Sequence, residues 1–238
     1  MVTAADQIGT GVTDTVALYT YGNDNTGLFR FNPEAAQGYE MERKWLSGAG
    51  NWDWNRSEVL AAANYDNDAT TEIAILYDYG SANTGIYVFD HDMWAVEGYP
   101  PARVWLSGPG NLEFPRSKIT VGDQNNDGKG EIALFYNYGN ATTGLFLFNP
   151  AQWSTPGYLP ALAWYSGAGN WDWNRSSVLS SADQEDDGKT ELAVLYDYGG
   201  ATTALFLFDP DAIPTAYSPA SKWQSGAGNW NWGLTKPI

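Results

Sequence analysis

Cysteine is absent from the 238-residue chain. That removes disulfides, thiolate nucleophiles and cysteine-bound zinc together. Histidine occurs once, as His91, so a histidine-rich metal site is excluded and a Ser-His-Asp triad would have to use that residue. His91 lies in the variable segment Asp90-His91-Asp92-Met93-Trp94 and has no counterpart elsewhere in the chain, so it reads as a solvated loop residue. Basic residues are scarce: 12 Lys+Arg face 28 Asp+Glu, a net charge of −16. So acidic a surface repels phosphate backbones and anionic lipids, and neither a nucleic-acid partner nor membrane insertion is expected. No apolar run approaches the roughly 20 residues that span a bilayer. Met1 to Thr10 has neither a basic start nor an apolar stretch, so no signal peptide is expected in this form.

What the chain does have is repetition, together with 12 Trp and 26 Gly. Val16-Ala-Leu-Tyr-Thr-Tyr-Gly22 recurs as Ile73-Ala-Ile-Leu-Tyr-Asp-Tyr-Gly80, Ile132-Ala-Leu-Phe-Tyr-Asn-Tyr-Gly139 and Leu192-Ala-Val-Leu-Tyr-Asp-Tyr-Gly199. The closing glycines are 58, 59 and 60 residues apart. A second block, Ser-Gly-x-Gly-Asn, begins at Ser47, Ser107, Ser166 and Ser225, in steps of 60, 59 and 59. Four units, approximately 1–56, 57–116, 117–175 and 176–238, fill the chain as one domain over 1–238 with no linker left over.

Each unit reads as four short strands rich in β-branched and aromatic residues and bounded by Gly, Asn, Asp and Pro. In the second unit they are Ser57 to Ala63, Glu72 to Tyr79, Thr84 to Phe89 and Arg103 to Leu106. No segment shows a sustained helical period. Strands such as Ile73-Ala-Ile-Leu-Tyr77 are apolar on both faces, which suits sheets covered on both sides. The chain ends at about the repeat position where it began, since Thr235 to Ile238 align with Ser57 to Leu60. The expected fold is all-β: a four-bladed β-propeller whose termini close the ring. The alternative is an open half-ring that dimerises into eight blades.

A short acidic loop precedes the second strand of each unit. It reads Asn64-Tyr-Asp66-Asn-Asp68-Ala-Thr70-Thr-Glu72, Asp123-Gln-Asn125-Asn-Asp127-Gly-Lys129-Gly-Glu131 and Asp183-Gln-Glu185-Asp-Asp187-Gly-Lys189-Thr-Glu191. Oxygen side chains fall at loop positions one, three, five and nine. The carbonyl of position seven (Thr70, Lys129 and Lys189) can add another oxygen. Calcium takes six to eight oxygens from a loop that curls round it, and a Gly at position six eases the bend. The same loops also read as solvated Asx-rich turns. Up to three calcium ions are expected. None is expected in the first loop, Asp6-Gln-Ile8-Gly-Thr10-Gly-Val12-Thr-Asp14, where Ile8 cannot ligate.

Asp-x-Asn-x-Asp-Gly-x-x-Glu followed by Ile-Ala-Leu resembles the FG-GAP/VCBS repeat of integrin-α-like propellers, and the resemblance extends over all four units. It implies one β-propeller blade per repeat and calcium held by the side chains of Asn64, Asp66, Asp68 and Glu72, of Asp123, Asn125, Asp127 and Glu131, and of Asp183, Glu185, Asp187 and Glu191. The loops depart from the family pattern in ending on Glu, and four repeats are fewer than many such propellers contain. The family does not fix a function.

The second constellation is aromatic. Asn51-Trp52-Asp53-Trp54-Asn55-Arg56-Ser57 recurs as Asn170-Trp171-Asp172-Trp173-Asn174-Arg175-Ser176, drifts to Asn111-Leu-Glu-Phe-Pro-Arg116-Ser117, and ends as Asn229-Trp230-Asn231-Trp232. Indole faces beside carboxylate, amide and guanidinium are the equipment of a sugar site. Alternation also places both indoles on one face of an extended strand, where they would fill the gap between sheets. Both readings stand on the sequence. Three functions follow: a secreted, calcium-stabilised, lectin-like module that binds carbohydrate or another small ligand; an enzyme with a pocket in which carboxylates such as Asp53 and Asp172 act as acid and base; or a protein-interaction module.

Overall fold

The computed structural model describes residues 1–36, 38–90, 101–212 and 215–234. His91 and Thr235 to Ile238 lie outside these. Among the described residues sixteen strands form four antiparallel sheets, each of four consecutive strands in chain order. The first sheet is β1 (Val2–Ala5), β2 (Asp14–Gly22), β3 (Asn25–Asn32) and β4 (Glu40–Leu46). The second is β5 (Ser57–Ala63), β6 (Glu72–Gly80), β7 (Asn83–Phe89) and β8 (Ala102–Leu106). The third is β9 (Ser117–Gly122), β10 (Glu131–Gly139), β11 (Thr142–Phe148) and β12 (Ala161–Tyr165). The fourth is β13 (Ser176–Ala182), β14 (Glu191–Gly199), β15 (Thr202–Phe208) and β16 (Pro219–Gln224). Only short 3-10 turns add helical character among the described residues.

Sheets 1–4 coincide with the four sequence repeats. The strands expected in the second unit match β5 to β8 to within one residue at each end. At the N-terminus β1 is the first strand of sheet 1, paired with β2 from Val2↔Ala17 to Ala5↔Asp14; the C-terminal segment expected to close the ring, Thr235 to Ile238, lies outside the described residues.

The turn chemistry explains the central hairpins. β2 and β3 are joined by Asn23 and Asp24 at φ 52° and 51°. Ser81 and Ala82, then Asn140 and Ala141, and then Gly200 and Ala201 repeat this at φ values from 49° to 59°. Two successive left-handed residues make the hairpin turn whose twist matches the flanking strands. The residue two positions before the glycine caps that turn: Asp78, Asn137 and Asp197 each accept the N–H of Gly80, Gly139 or Gly199 at 2.7–2.8 Å.

The chain falls into two units, one of Met1–Pro115 with Trp153–Tyr158, the other of Arg116–Gln152 with Leu159–Ile238. In the first, sheets 1 and 2 enclose a core of Val16, Leu18, Leu28, Trp45, Ile73, Ile75, Tyr77 and Phe89, with Trp52 wedged into it. In the second, sheets 3 and 4 enclose Phe135, Leu145, Leu192, Val194, Tyr196, Phe206 and Phe208, with Trp171 in the same role. Burying a large aromatic removes 150–250 Å² from water, so the wedge tryptophans contribute strongly to each core.

Candidate metal loops and aromatic loops

The four acidic loops share one frame. The final carboxylate of each reaches back to the second residue's N–H: Asp14 to Gln7 at 3.4 Å, Glu72 to Tyr65 at 2.6 Å, Glu131 to Gln124 at 2.9 Å and Glu191 to Gln184 at 2.7 Å. These four carboxylates are between 1% and 3% exposed. Asp123 and Asp183, at position one, accept the N–H groups of positions five and six at 2.8–3.2 Å. Gly128 and Gly188 hold φ 86° and 87° at position six, where a side chain would be strained. Loop two has Ala69 there and curls differently, with Asn64 Oδ1 accepting from Asn67 N–H at 2.6 Å.

Two loops bring three carboxylates together. Asp66, Asp68 and Glu72, and likewise Asp183, Asp187 and Glu191, each offer oxygens within 4.8 Å of one another. Burial, then the neighbouring Asp66, Asp68 and Asp90 carboxylates, push the Glu72 carboxyl up to about 7. Burial chiefly, with Asp127 and Asp123 beside it, pushes Glu131 up to about 7 as well. Glu191 is raised for the same leading reason. Buried like charges of this kind are stable only when protonated or matched by a cation. Glu191 Oε1 is buried and has no hydrogen-bond partner, so the fourth loop fits a hard, oxygen-seeking cation such as calcium.

The expected ligands do not all converge. The Glu185 carboxylate lies 3.4 Å from Lys222 Nζ and outside the three-carboxylate cluster, because a lysine 37 residues on draws it outward. In loop three the Asn125 amide donates to Glu131 Oε1 at 2.6 Å, and Asp123, Asp127 and Glu131 do not form such a cluster. In loop two the Thr70 hydroxyl donates to Asp68 at 2.8 Å. Thr70, Lys129 and Lys189 give their N–H groups to Asp68, Asp127 and Asp187. Within each unit the loops touch: Thr71 N–H bonds Asp6 O at 2.9 Å, and Thr190 N–H bonds Asp123 O at 2.7 Å.

The first loop carries a feature that loop spacing alone does not reveal. Arg30 of β3 is buried, with Nε 2.8 Å from Asp14 Oδ2 and Nη1 3.6 Å from Glu42. At the equivalent position the other sheets carry Val88, Leu147 and Leu207. The loop that lost its ligand at Ile8 thus has a guanidinium beside its buried carboxylate. The fixed charge stands beside the carboxylate that in loops two and four is instead joined by two further carboxylates. The signal was present in the sequence as one arginine in an apolar repeat position.

The tryptophan loops are built into the fold. Trp52 and Trp171 are each 6% exposed and donate their ring N–H to Ser57 and Ser176 hydroxyls at 2.8 Å. Trp52 contacts Tyr77 at 4.6 Å and Tyr87 at 4.8 Å between centroids. Trp171 contacts Tyr196 at 4.7 Å and Phe206 at 5.0 Å. Asp53 and Asp172 cap 3-10 turns over Trp54–Arg56 and Trp173–Arg175. Those turns separate the paired indoles, which do not stay on one extended face. Trp54 and Trp173 are half-buried and donate to Leu18 O at 3.0 Å and Phe135 O at 3.3 Å. Arg56 lies against Gly80, and the Arg175 guanidinium sits 6.0 Å from the centre of the Tyr196 ring.

Ser-Gly-x-Gly-Asn is the latch that holds these loops. Each serine hydroxyl accepts a backbone N–H from the third strand of its sheet at 2.9–3.1 Å. Each asparagine amide donates back to its serine's carbonyl at 2.7–3.0 Å. The fourth loop differs in exposure: Trp230 is 42% exposed, and Trp232 is half-buried at the start of the last 3-10 turn. Sequence reasoning overlooked the tyrosine that follows each turn-capping residue. Tyr21, Tyr138 and Tyr198 are 43–49% exposed. The Tyr21 and Tyr138 rings lie beside Gly27 and Gly144 of the next strand, and Tyr165 joins Tyr138 at 5.5 Å.

No helix among the described residues is long and apolar enough to cross a membrane. Compared with models of known protein families and with curated proteins, the chain matches none.

Proposed function

We propose that this chain is a calcium-stabilised binding module built from β-propeller blades of the FG-GAP/VCBS kind, and that its ligand is carbohydrate. The observation that carries the calcium reading is the partnerless, buried Glu191 Oε1 facing Asp183 and Asp187. Calcium would be held by Asp183, Asp187 and Glu191 and by Asp66, Asp68 and Glu72. It would neutralise buried carboxylates and tie each loop to the strand that follows. Its role is structural.

The ligand reading moves from the wedge tryptophans to the exposed tyrosines. Trp52, Trp171 and their Asp and Arg neighbours are committed to packing and capping, whereas Tyr138 and Tyr165 present partly exposed rings 5.5 Å apart. Flat aromatic faces of this kind suit the C–H faces of a pyranose. A glycan-array screen in calcium, repeated with a chelator, tests this. Calcium-dependent hits that Tyr138→Ala and Tyr165→Ala abolish support it. A blank array from folded, calcium-loaded protein contradicts it.

A further inference from the structure

We infer that loops one and three are positioning elements for the calcium loops beside them, loop one for loop two and loop three for loop four. The inference rests on the calcium reading above and names what sets the affinity of those sites. Loop one keeps the curl of an ion loop although Ile8 supplies no ligand and Arg30 already pairs its final carboxylate. Asp6 accepts the N–H groups of Thr10 and Gly11 at 3.1 and 2.7 Å. Asp123 accepts those of Asp127 and Gly128 in the same way at 3.2 and 2.8 Å.

The curl presents one carbonyl to the neighbouring loop. Asp6 O accepts the Thr71 N–H at 2.9 Å and the Thr71 hydroxyl at 2.8 Å. Gln7 Nε2 donates back to Thr71 O at 2.5 Å. Thr71 directly precedes the ligand Glu72. In the other unit Asp123 O accepts the Thr190 N–H at 2.7 Å. Thr190 directly precedes Glu191, whose Oε1 is buried without a partner. The bends meet in one register too, position four of one loop against position six of the other: Gly9 against Ala69, and Asn126 against Gly188. One member of each pair is glycine. A Cβ on Gly9 would come within 2.9 Å of Ala69 O, and one on Gly188 would strike the Asn126 amide.

Both positioning loops have their final carboxylate satisfied from within the chain. Arg30 serves Asp14, and the Asn125 amide and Gln124 N–H serve Glu131. They hold their shape without an ion, and through Thr71 and Thr190 they fix the backbone that enters Glu72 and Glu191. Groups one layer out from a metal orient its ligands, and their loss costs about 10–100-fold in affinity.

Calcium titration calorimetry of the full chain tests this, with circular dichroism to show that each protein is folded at the assay temperature. In a Glu191→Gln background the remaining ion reports on loop two. There Asp6→Ala should weaken calcium about tenfold or more, although Asp6 is no ligand of that loop. Asp6→Asn loses the same charge but keeps an acceptor oxygen, and should recover most of the affinity. In a Glu72→Gln background the remaining ion reports on loop four. Asn126→Gly, which keeps the left-handed backbone accessible at φ 60°, should weaken it by a similar factor, and this exposed position decides the matter if Asp6→Ala does not fold. Affinities unchanged by these variants overturn the inference. So does an Asp6→Asn variant as weak as Asp6→Ala, since charge alone would then be felt. A wild type that binds no calcium is a distinct result, which removes the calcium reading and the positioning role with it.

Discussion

Replacing Arg30 by leucine, the residue at its position in sheets 3 and 4, removes the positive charge that stands beside the buried Asp14 carboxylate. Arg30 Nε lies 2.8 Å from Asp14 Oδ2, with the two side chains 5% and 2% exposed. Asp14 also receives the Gln7 N–H at 3.4 Å, which is weak compensation for a buried anion. Breaking a buried pair by removing one partner costs about 3–5 kcal/mol, because the remaining charge is stranded. For a chain of this size, about 2–4 °C of melting temperature accompanies each kcal/mol, so Arg30→Leu should lower it by roughly 6–20 °C. Removing both charges in Arg30→Leu/Asp14→Asn should recover most of the loss, since a neutral pair is far cheaper to bury than a stranded charge. Calcium should not rescue the single variant, because Ile8 supplies no ligand and Thr10 only a weak one. Urea unfolding of wild type, single and double variants measures this. A single variant within about 0.5 kcal/mol of wild type, the ordinary range for surface changes, would refute the role assigned to Arg30.

Calcium at a hundredfold excess over its dissociation constant should add about 2.7 kcal/mol per independently bound ion, read as a chelator-reversible rise in melting temperature. Trp52→Ala and Trp171→Ala should each cost about 3–5 kcal/mol in urea unfolding, and Trp230→Ala distinctly less; equal losses would contradict the wedge assignment. Glu72 and Glu131, held near about 7 against about 4.3 for an unfolded glutamate, bind protons more tightly when folded. Without calcium their contribution is therefore full below about 4.3 and is lost as pH rises towards about 7. Calcium needs the ionised form, so its stabilisation should grow over the same window. Melting curves of wild type and Glu72→Gln/Glu131→Gln, with calcium and with chelator, separate the two trends, and a pH-independent difference between the proteins would contradict them.

The strands were legible because alternation and turn residues recur at the same positions four times, and local physics repeated four times is hard to misread. The acidic loops were legible as a frame, since Asp at position one and Glu at position nine bond backbone N–H groups wherever they occur. What local spacing could not show was who else reaches the loop. Lys222 draws Glu185 away, and Arg30 enters the first loop from a neighbouring strand; both are contacts made by folding. The tryptophan loops were ambiguous because extended alternation was assumed, whereas Asp53 and Asp172 nucleate 3-10 turns that separate the two indoles. The exposed tyrosines were overlooked because their burial depends on sheet edges that a repeat alignment treats as equivalent.

Calcium stoichiometry tests the central claim most directly. Isothermal titration and native mass spectrometry of wild type and Glu191→Gln would count the ions. The account predicts two bound calcium ions in the wild type, with one fewer in Glu191→Gln and the same number in Arg30→Leu. A wild type that binds no calcium at millimolar concentration, or a Glu191→Gln variant with an unchanged count, would contradict it.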